Sequence, residues 1–304
     1  MTNPTPEWFT NWMNRSTLLH QRCTLFFVVG CQKSGTTWIE RLLNQHPQVA
    51  CEGEGHFCDT LIPVMQQALN YYTNAQVESD RMDAAHQPLR DDLLGISRLL
   101  IDQILVRFIK AKPNPDAVTA VGEKTPEHSN SIPLLRELFP QAKFIHIIRD
   151  GRDACVSGWA HLNRKGQSDQ FKSFAEYASY FAERHWLPYL IHARQEGHQA
   201  PGQYIEITYE TLRADPVPGT TALFEFLQVD ADPTTVQQAV DGASFKAMSG
   251  GRAPGQEDAS SHMRKGIVGD WKNHFDDESL AAFNAHAEPL LRALGYETTA
   301  TISA

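Results

Sequence analysis

The residues with the clearest chemical potential lie in a short loop of the kind that binds phosphate-like anions. The loop GCQKSGTT (30–37) follows the apolar run LFFVVG (25–30), typical of a buried strand, and precedes a helix that apolar spacing predicts at 36–44. Backbone N–H groups in such a loop and at a helix N-terminus point toward a bound anion. The loop keeps the GxxxxG spacing of nucleotide triphosphatases, but Lys33 lies inside it and the following Lys-Ser/Thr pair is missing. It therefore predicts an anion site that differs from the one in those enzymes.

A second cation stands at the end of another predicted strand. The segment KFIHIIRD (143–150) ends on Arg149 and Asp150. Ligands of parallel sheets bind at the carboxyl ends of the strands. A triphosphatase places an acidic magnesium ligand at a strand end of this kind. Arginine there predicts a second bound anion and no metal.

The elements that must position these residues have the pattern of an α/β protein. Strands are predicted at 25–30, 117–124, 143–150 and 203–210, and helices at 36–44, 93–109, 132–139, around 174–181 and at 221–227. Strands separated by helices predict a P-loop-like parallel sheet of four or five strands with helices on both faces. We expect a polar N-terminal arm at 1–22, one domain at 23–304 with a C-terminal lid, and a mobile surface segment at 250–266.

Composition narrows the class of partner and the location. The chain has 304 residues, 41% of them hydrophobic, and a formal net charge of -9, which argues against nucleic acid as a partner. Five cysteines without a CxxC pair argue against a disulfide framework or a structural zinc site. No signal peptide and no bilayer-length apolar run are found. We expect a cytoplasmic protein that does not enter a membrane.

The segments KSGTTW (33–38), IIRDGRDACVS (147–157) and RKGIVGDWKNHF (264–275) follow one another in this order, and together they resemble the motifs of the sulfotransferases that use 3′-phosphoadenosine 5′-phosphosulfate (PAPS). KSGTTW (33–38) is similar to the loop that binds the 5′-phosphosulfate, and IIRDGRDACVS (147–157) is similar to the 3′-phosphate motif. RKGIVGDWKNHF (264–275) resembles the C-terminal motif of the cytosolic enzymes. The matches extend from residue 25 to 275, nearly the whole chain.

The resemblance implies PAPS as co-substrate, with no metal required. It assigns co-substrate binding to Lys33, Ser34, Gly35, Thr36, Thr37, Trp38, Arg149, Ser157, Tyr209, Ser244, Phe245, Arg264, Lys265 and Gly266. These types suit the ligand, because two phosphates on one nucleotide need two cationic clusters and arginine forks match phosphate oxygens. Aromatic rings offer flat faces for adenine stacking.

The resemblance also assigns the catalytic groups. Lys33 is placed to neutralise charge on the bridging oxygen during in-line transfer, and Lys124, at the end of the strand AVTAVGEK (117–124), is the second cation that the family places at this strand end. Small-molecule cytosolic enzymes carry a Lys-Thr-His sequence here, whereas this chain has Pro126 in place of the histidine.

The general base must therefore come from elsewhere. The tyrosylprotein sulfotransferases use a glutamate beyond the first helix, and the ungapped spacing from the signature loop places that position on Glu54. His56 and His128 are the alternatives, and Glu52 competes for the same role.

The acceptor is not encoded in any motif. A phenol, an alcohol, an amine, a sugar or a peptide tyrosine is compatible with the sequence, and so is any oligomeric state. The segments 55–115 and those after His161 are expected to bind the acceptor. Two alternatives to sulfuryl transfer are a metal-dependent P-loop kinase and a non-catalytic nucleotide-binding protein.

Overall fold

A five-stranded parallel sheet forms the centre of the molecule, in the order β2-β3-β1-β4-β5. The computed structural model describes residues 5–78, 87–258, 261 and 264–298. The strands are β1 (Thr24–Val29), β2 (Val49–Gly53), β3 (Ala120–Lys124), β4 (Lys143–Ile148) and β5 (Tyr204–Thr208). The helices are α1 (Glu7–Arg22), α2 (Thr36–Asn44), α3 (Ile62–Glu78), α4 (Arg90–Ala111), α5 (Ile132–Leu138), α6 (Gly151–Arg164), α7 (Phe174–Phe181), α8 (Leu187–Gly197), α9 (Tyr209–Ala214), α10 (Pro216–Leu227), α11 (Pro233–Gly242), α12 (Phe245–Met248) and α13 (Asp277–Ala293).

Helices cover both faces of the sheet because the strands are apolar on both sides. In β1, Phe27 and Val29 face a core built with α4 and α5, while Phe26 and Val28 face a core built with α2 and α10. Successive side chains of a strand point to opposite faces, so a continuous run of apolar residues packs against helices on both faces of the sheet. The predicted α/β class and parallel sheet are confirmed; the lid stays a prediction.

Strand β2 has no counterpart among the predicted strands. It contains only a short apolar stretch and follows α2 after a turn. This sequence pattern is too short to predict a strand by itself. It pairs with β3 at one edge of the sheet, and the register places Gly53 opposite Lys124. This register brings the residues after β2 to the end of β3.

The segment predicted as a polar N-terminal arm contains helix α1 (Glu7–Arg22). Helix α1 packs on α4, and its Ser16 and His20 both bond to Asp102, which is fully buried. A buried carboxylate needs such partners, because an unpaired buried charge is strongly unfavourable. The proposed separation into an arm and one domain stays a prediction.

The helix predicted around residues 174–181 lies in a longer helical stretch. Helix α7 continues through a π-helical turn, Ala182–Trp186, into α8. Trp186 is fully buried and packs on Phe283 of α13, so it belongs to the core.

Among the described residues, no helix combines the length and the hydropathy needed to cross a membrane.

Candidate active site

A cavity of about 440 Å³ lies at the carboxyl ends of the strands. Residues that follow each strand contribute to its wall: Lys33 after β1, Glu54 after β2, Pro126 after β3, Arg149 after β4 and Tyr209 after β5. Parallel strands all end at one edge of a sheet, so residues far apart in the chain converge there.

Most of the residues predicted to bind the co-substrate line this cavity. They are Lys33, Gly35, Thr36, Thr37, Trp38, Arg149, Ser157, Tyr209, Phe245, Arg264, Lys265 and Gly266. The predicted base Glu54 also lines it. Ser34, Ser244 and Lys124 do not line the cavity. The ammonium of Lys124 donates a hydrogen bond to Glu54, which does line it.

The anion loop has the backbone that its sequence predicts. Gly35 adopts a left-handed φ of 105° directly before α2, and a Cβ there would lie 2.8 Å from the Tyr209 ring. Only glycine tolerates both conditions. The carbonyl of Lys33 accepts a hydrogen bond of 3.0 Å from Nη1 of Arg149, which ties the loop to the end of β4.

The Lys33 ammonium lies in a crowded electrostatic environment. Burial, followed by the charge of Arg164, lowers the pKa of Lys33 from 10.5 to about 8. Glu54 raises this pKa, and Lys165 and Lys124 lower it further. Lys33 is therefore close enough to interact electrostatically with Glu54 and Lys124, the other two residues with a predicted catalytic role.

Lys124 lies between two carboxylates. Its Nζ, which is almost completely buried, donates to Oε1 of Glu54 and lies 3.6 Å from Oε2 of Glu40 in α2. The Glu54 side chain remains about half exposed toward the cavity. Burial raises the pKa of Glu40, and the charge of Lys124 opposes the increase.

The alternative bases have different surroundings. His128 is fully buried between the rings of Phe27 and Phe57, and its Nδ1 lies 3.1 Å from Glu123. His56 bonds to Asp59 and its Nε2 lies 3.7 Å from Glu54. Neither His56, His128 nor Glu52 lines the cavity.

The second and third motifs meet although they are far apart in the sequence. The carboxylate of Asp153 in α6 accepts hydrogen bonds from the backbone nitrogens of Gly269 (2.7 Å) and Trp271 (2.9 Å). The guanidinium of Arg152 stacks 3.7 Å above the Trp271 ring. These contacts hold the C-terminal motif beside Arg149.

The cations of the C-terminal motif are already paired with carboxylates. Asp270, which is 2% exposed, accepts from Arg264 at 2.5 Å and from Lys265 at 2.7 Å. Burial favours the neutral acid, but these hydrogen bonds hold the pKa of Asp270 well below its usual range. Arg264 also bonds to Glu257, which is far more exposed. Of the segment 250–266, residues 259–260 and 262–263 lie outside the described residues.

The aromatic residues form the other part of the wall. The Trp38 indole nitrogen donates to the carbonyl of Ala243, and its ring meets Tyr209 edge-on. Gly266 has a left-handed φ of 64° and packs against the Phe245 ring. Ser244 caps α12 through its Oγ, which accepts from Ala247.

Several residues of the wall were not found from the sequence. They are Gln32, Glu127, His161, Lys165, Arg213, Met248 and Ile267. A helical signal was available for two of them: His161 follows Ser157 by four positions in α6, and Lys165, four positions further, is the C-cap of that helix. Among the described residues, no group of three or more His, Cys, Asp or Glu side chains is arranged to hold a metal ion.

A family model described as "Sulfotransferase family" matches residues 26–233. Cytosolic sulfotransferase 16 of Arabidopsis thaliana is 25% identical over 301 residues, covering 90% of this chain and 78% of that protein. A putative protein-tyrosine sulfotransferase of Caenorhabditis briggsae is 25% identical over 285 residues, covering 91% and 90%. Cytosolic sulfotransferase 17 of Arabidopsis thaliana is 29% identical over 180 residues, and this match spans only about half of each chain (51%).

The fold is also that of solved sulfotransferases. The crystal structure of mouse sulfotransferase SULT7A1 complexed with PAP has a TM-score of 0.56 at 18% identity, covering 89% of this chain and 84% of that one. A retinol dehydratase in a complex with retinol and PAP has a TM-score of 0.50 at 16% identity, covering 93% and 86%.

The chain belongs to the sulfotransferase family, since the family model spans more than half of it. The resemblance inferred from the three motifs is confirmed, and with it the enzyme class, a sulfotransferase. The kinase and the non-catalytic alternatives are not favoured.

Proposed function

We propose that this enzyme binds PAPS along the cavity at the sheet edge and transfers its sulfuryl group in line to an acceptor hydroxyl or amine. The observation that carries the proposal is the convergence of two cation groups and one carboxylate on a single cavity. Lys33 and Lys124 lie near Glu54, and Arg149 lies beside the segment with Arg264.

The 5′-phosphosulfate is assigned to the anion loop. Its backbone N–H groups and the start of α2, with Thr36 and Thr37, hold the oxygens. As the bond between sulfur and the bridging oxygen breaks, negative charge grows on that oxygen. The product 3′-phosphoadenosine 5′-phosphate (PAP) leaves with the electron pair. Lys33 and Lys124 stabilise this charge, which is where catalysis of group transfer is most effective.

The 3′-phosphate is assigned to Arg149, Ser157, Arg264, Lys265 and Gly266. In the structure the exposed Glu257 bonds to Arg264. A bound phosphate would replace Glu257, while the buried Asp270 keeps the guanidinium oriented from behind. Trp38 and Phe245 provide faces for adenine.

Glu54 is assigned the role of general base, which takes the proton of the acceptor. The acceptor oxygen or nitrogen forms a bond to sulfur, and its proton passes to the carboxylate of Glu54. Lys124 holds Oε1 of Glu54, so the carboxylate is oriented at the cavity wall.

PAP should bind at least about tenfold more tightly than adenosine 5′-monophosphate. The 3′-phosphate adds charge-assisted hydrogen bonds worth roughly 1.5–3 kcal/mol each. Titration calorimetry with both nucleotides measures the difference, and Arg264→Ala should reduce it. Equal affinity for the two nucleotides would contradict the assignment of the 3′-phosphate site.

Activity should persist in excess EDTA. Side-chain cations take the position that Mg²⁺ occupies in kinases, so chelation should change the rate by less than about twofold. The assay follows transfer from radiolabelled PAPS before and after EDTA. Loss of activity that Mg²⁺ restores would support a metal-dependent mechanism instead.

The proposed acceptor is a hydroxyl or amine compound. Some relatives are protein-tyrosine sulfotransferases and others cytosolic sulfotransferases. Of the aromatic residues in the segments assigned to the acceptor, Phe57 is core, whereas Tyr71 and Tyr72 are exposed. A screen of phenols, alcohols, sugars and tyrosine peptides with radiolabelled PAPS identifies the acceptor class.

We also propose a cytoplasmic location, because the five cysteines are free and some relatives are cytosolic sulfotransferases.

A further inference from the structure

The loop that carries Glu54 is bonded to the two residues that flank Lys124. The backbone nitrogen of Gly55 donates to Oε1 of Glu123 at 2.5 Å. The backbone nitrogen of His56 donates to Oγ1 of Thr125 at 3.3 Å. The Thr125 hydroxyl in turn donates to the same Oε1 of Glu123 at 2.5 Å. Two consecutive N–H groups after Glu54 are thus held by side chains at the end of β3.

Both of these side chains are fully buried. Glu123 and Thr125 are each 0% exposed, and the second oxygen of Glu123 faces Nδ1 of His128 at 3.1 Å. A carboxylate in such a position is costly unless it is hydrogen-bonded, and removing its partners is strongly unfavourable. The contacts to Gly55 and Thr125 therefore form a rigid unit beneath the loop, made of residues that do not line the cavity.

The loop needs an external anchor because of its sequence. Glu54 lies between Gly53 and Gly55, and glycine leaves the backbone the widest choice of conformations. Strand pairing fixes Gly53 opposite Lys124, but β2 ends there. Beyond that point, the bonds to Gly55 and His56 restrict the chain.

We propose that Glu123 and Thr125 are positioning residues, which hold the loop so that the Glu54 carboxylate meets Lys124 and the acceptor. This inference rests on the proposed role of Glu54 as the base. Lys124 follows Glu123 and precedes Thr125, so one strand end fixes both the cation and the carboxylate relative to each other. Small displacements of a reacting group cost large factors in rate.

The test compares Thr125→Val with Thr125→Ser. Valine keeps the shape of threonine and removes the hydroxyl, whereas serine keeps the hydroxyl. Thr125→Val should lower kcat roughly ten- to hundredfold with the most reactive acceptor of the screen, whereas Thr125→Ser should stay within about threefold of the wild type. The affinity for PAP should remain within about twofold in both, because the phosphate sites are untouched. Thr125→Ala takes the place of valine if that variant does not fold.

A second readout does not depend on the acceptor. Amide hydrogen exchange of residues 53–56 should accelerate in Thr125→Val and not in Thr125→Ser, because only valine releases the N–H of His56. Unchanged exchange in Thr125→Val overturns the proposal.

A double-mutant cycle separates positioning from general destabilisation. If Thr125 acts through Glu54, adding Thr125→Val to Glu54→Gln should reduce kcat little further. A full additional loss in that background contradicts the proposal. If Glu54→Gln alone has no effect, the assignment of the base fails, while faster exchange in Thr125→Val still reports on the anchor.

Discussion

Glu54→Gln is expected to lower kcat by ~10²–10⁴-fold, the range that general-base catalysis typically supplies. Glutamine keeps the size of the side chain and can still accept a hydrogen bond from Lys124, but it cannot take the proton of the acceptor. The affinity for PAP, measured by calorimetry, should remain near that of the wild type, because the residues assigned to the two phosphates lie in other segments. A poorly acidic acceptor gives the clearest result, since an acidic one needs little help from a base.

Glu52→Gln is the matched control for this substitution. Glu52 lies two residues earlier, in β2, and does not line the cavity. Its replacement should leave kcat within about threefold of the wild type. His128→Ala tests an alternative base; His128 is buried in the core, so reduced stability is expected without a specific loss of the proton-transfer step. Normal turnover by Glu54→Gln would place the base elsewhere, with His56 the next residue to test.

Lys33→Met should lower kcat/KM for PAPS by ~10²–10³-fold, as does the loss of one donor to a developing oxyanion in other enzymes. Methionine has a similar length and no charge, so the loss isolates the ammonium. The measurement is the rate of transfer from radiolabelled PAPS at saturating acceptor. A variant with wild-type kcat/KM would remove Lys33 from the mechanism.

The pH dependence provides an independent check on Lys33. Its pKa is lowered by burial to about 8, so the free enzyme holds the ammonium below that pH and loses it above. In the wild type, kcat/KM for PAPS should therefore fall as the pH rises through about 8. Lys33→Arg is the matched control, because a guanidinium stays charged and the decrease near this pH should disappear.

Local sequence patterns predicted four of the five strands, several of the helices and most of the residues that line the cavity. The apolar spacing after the glycine loop predicted a helix at 36–44, and α2 spans Thr36–Asn44. The strands predicted around β1, β3, β4 and β5 are all present. Such patterns are readable because periodicity and turn chemistry involve residues that are near neighbours in the chain. Most of the residues predicted to bind the co-substrate line one cavity for a related reason, since parallel strands end at a common edge.

Contacts between distant segments were decided only by the tertiary structure. The short edge strand β2 and its register with β3 place Glu54 against Lys124, and neither is evident in so brief an apolar stretch. The docking of α1 through Asp102 depends on a pairing across more than 80 positions. Burial likewise separates residues that look equivalent in the sequence: Glu54 reaches the cavity, whereas His128 lies in the core. The physical reason is that register, burial and long-range ion pairs are properties of packed elements, and no local window of the chain contains both partners.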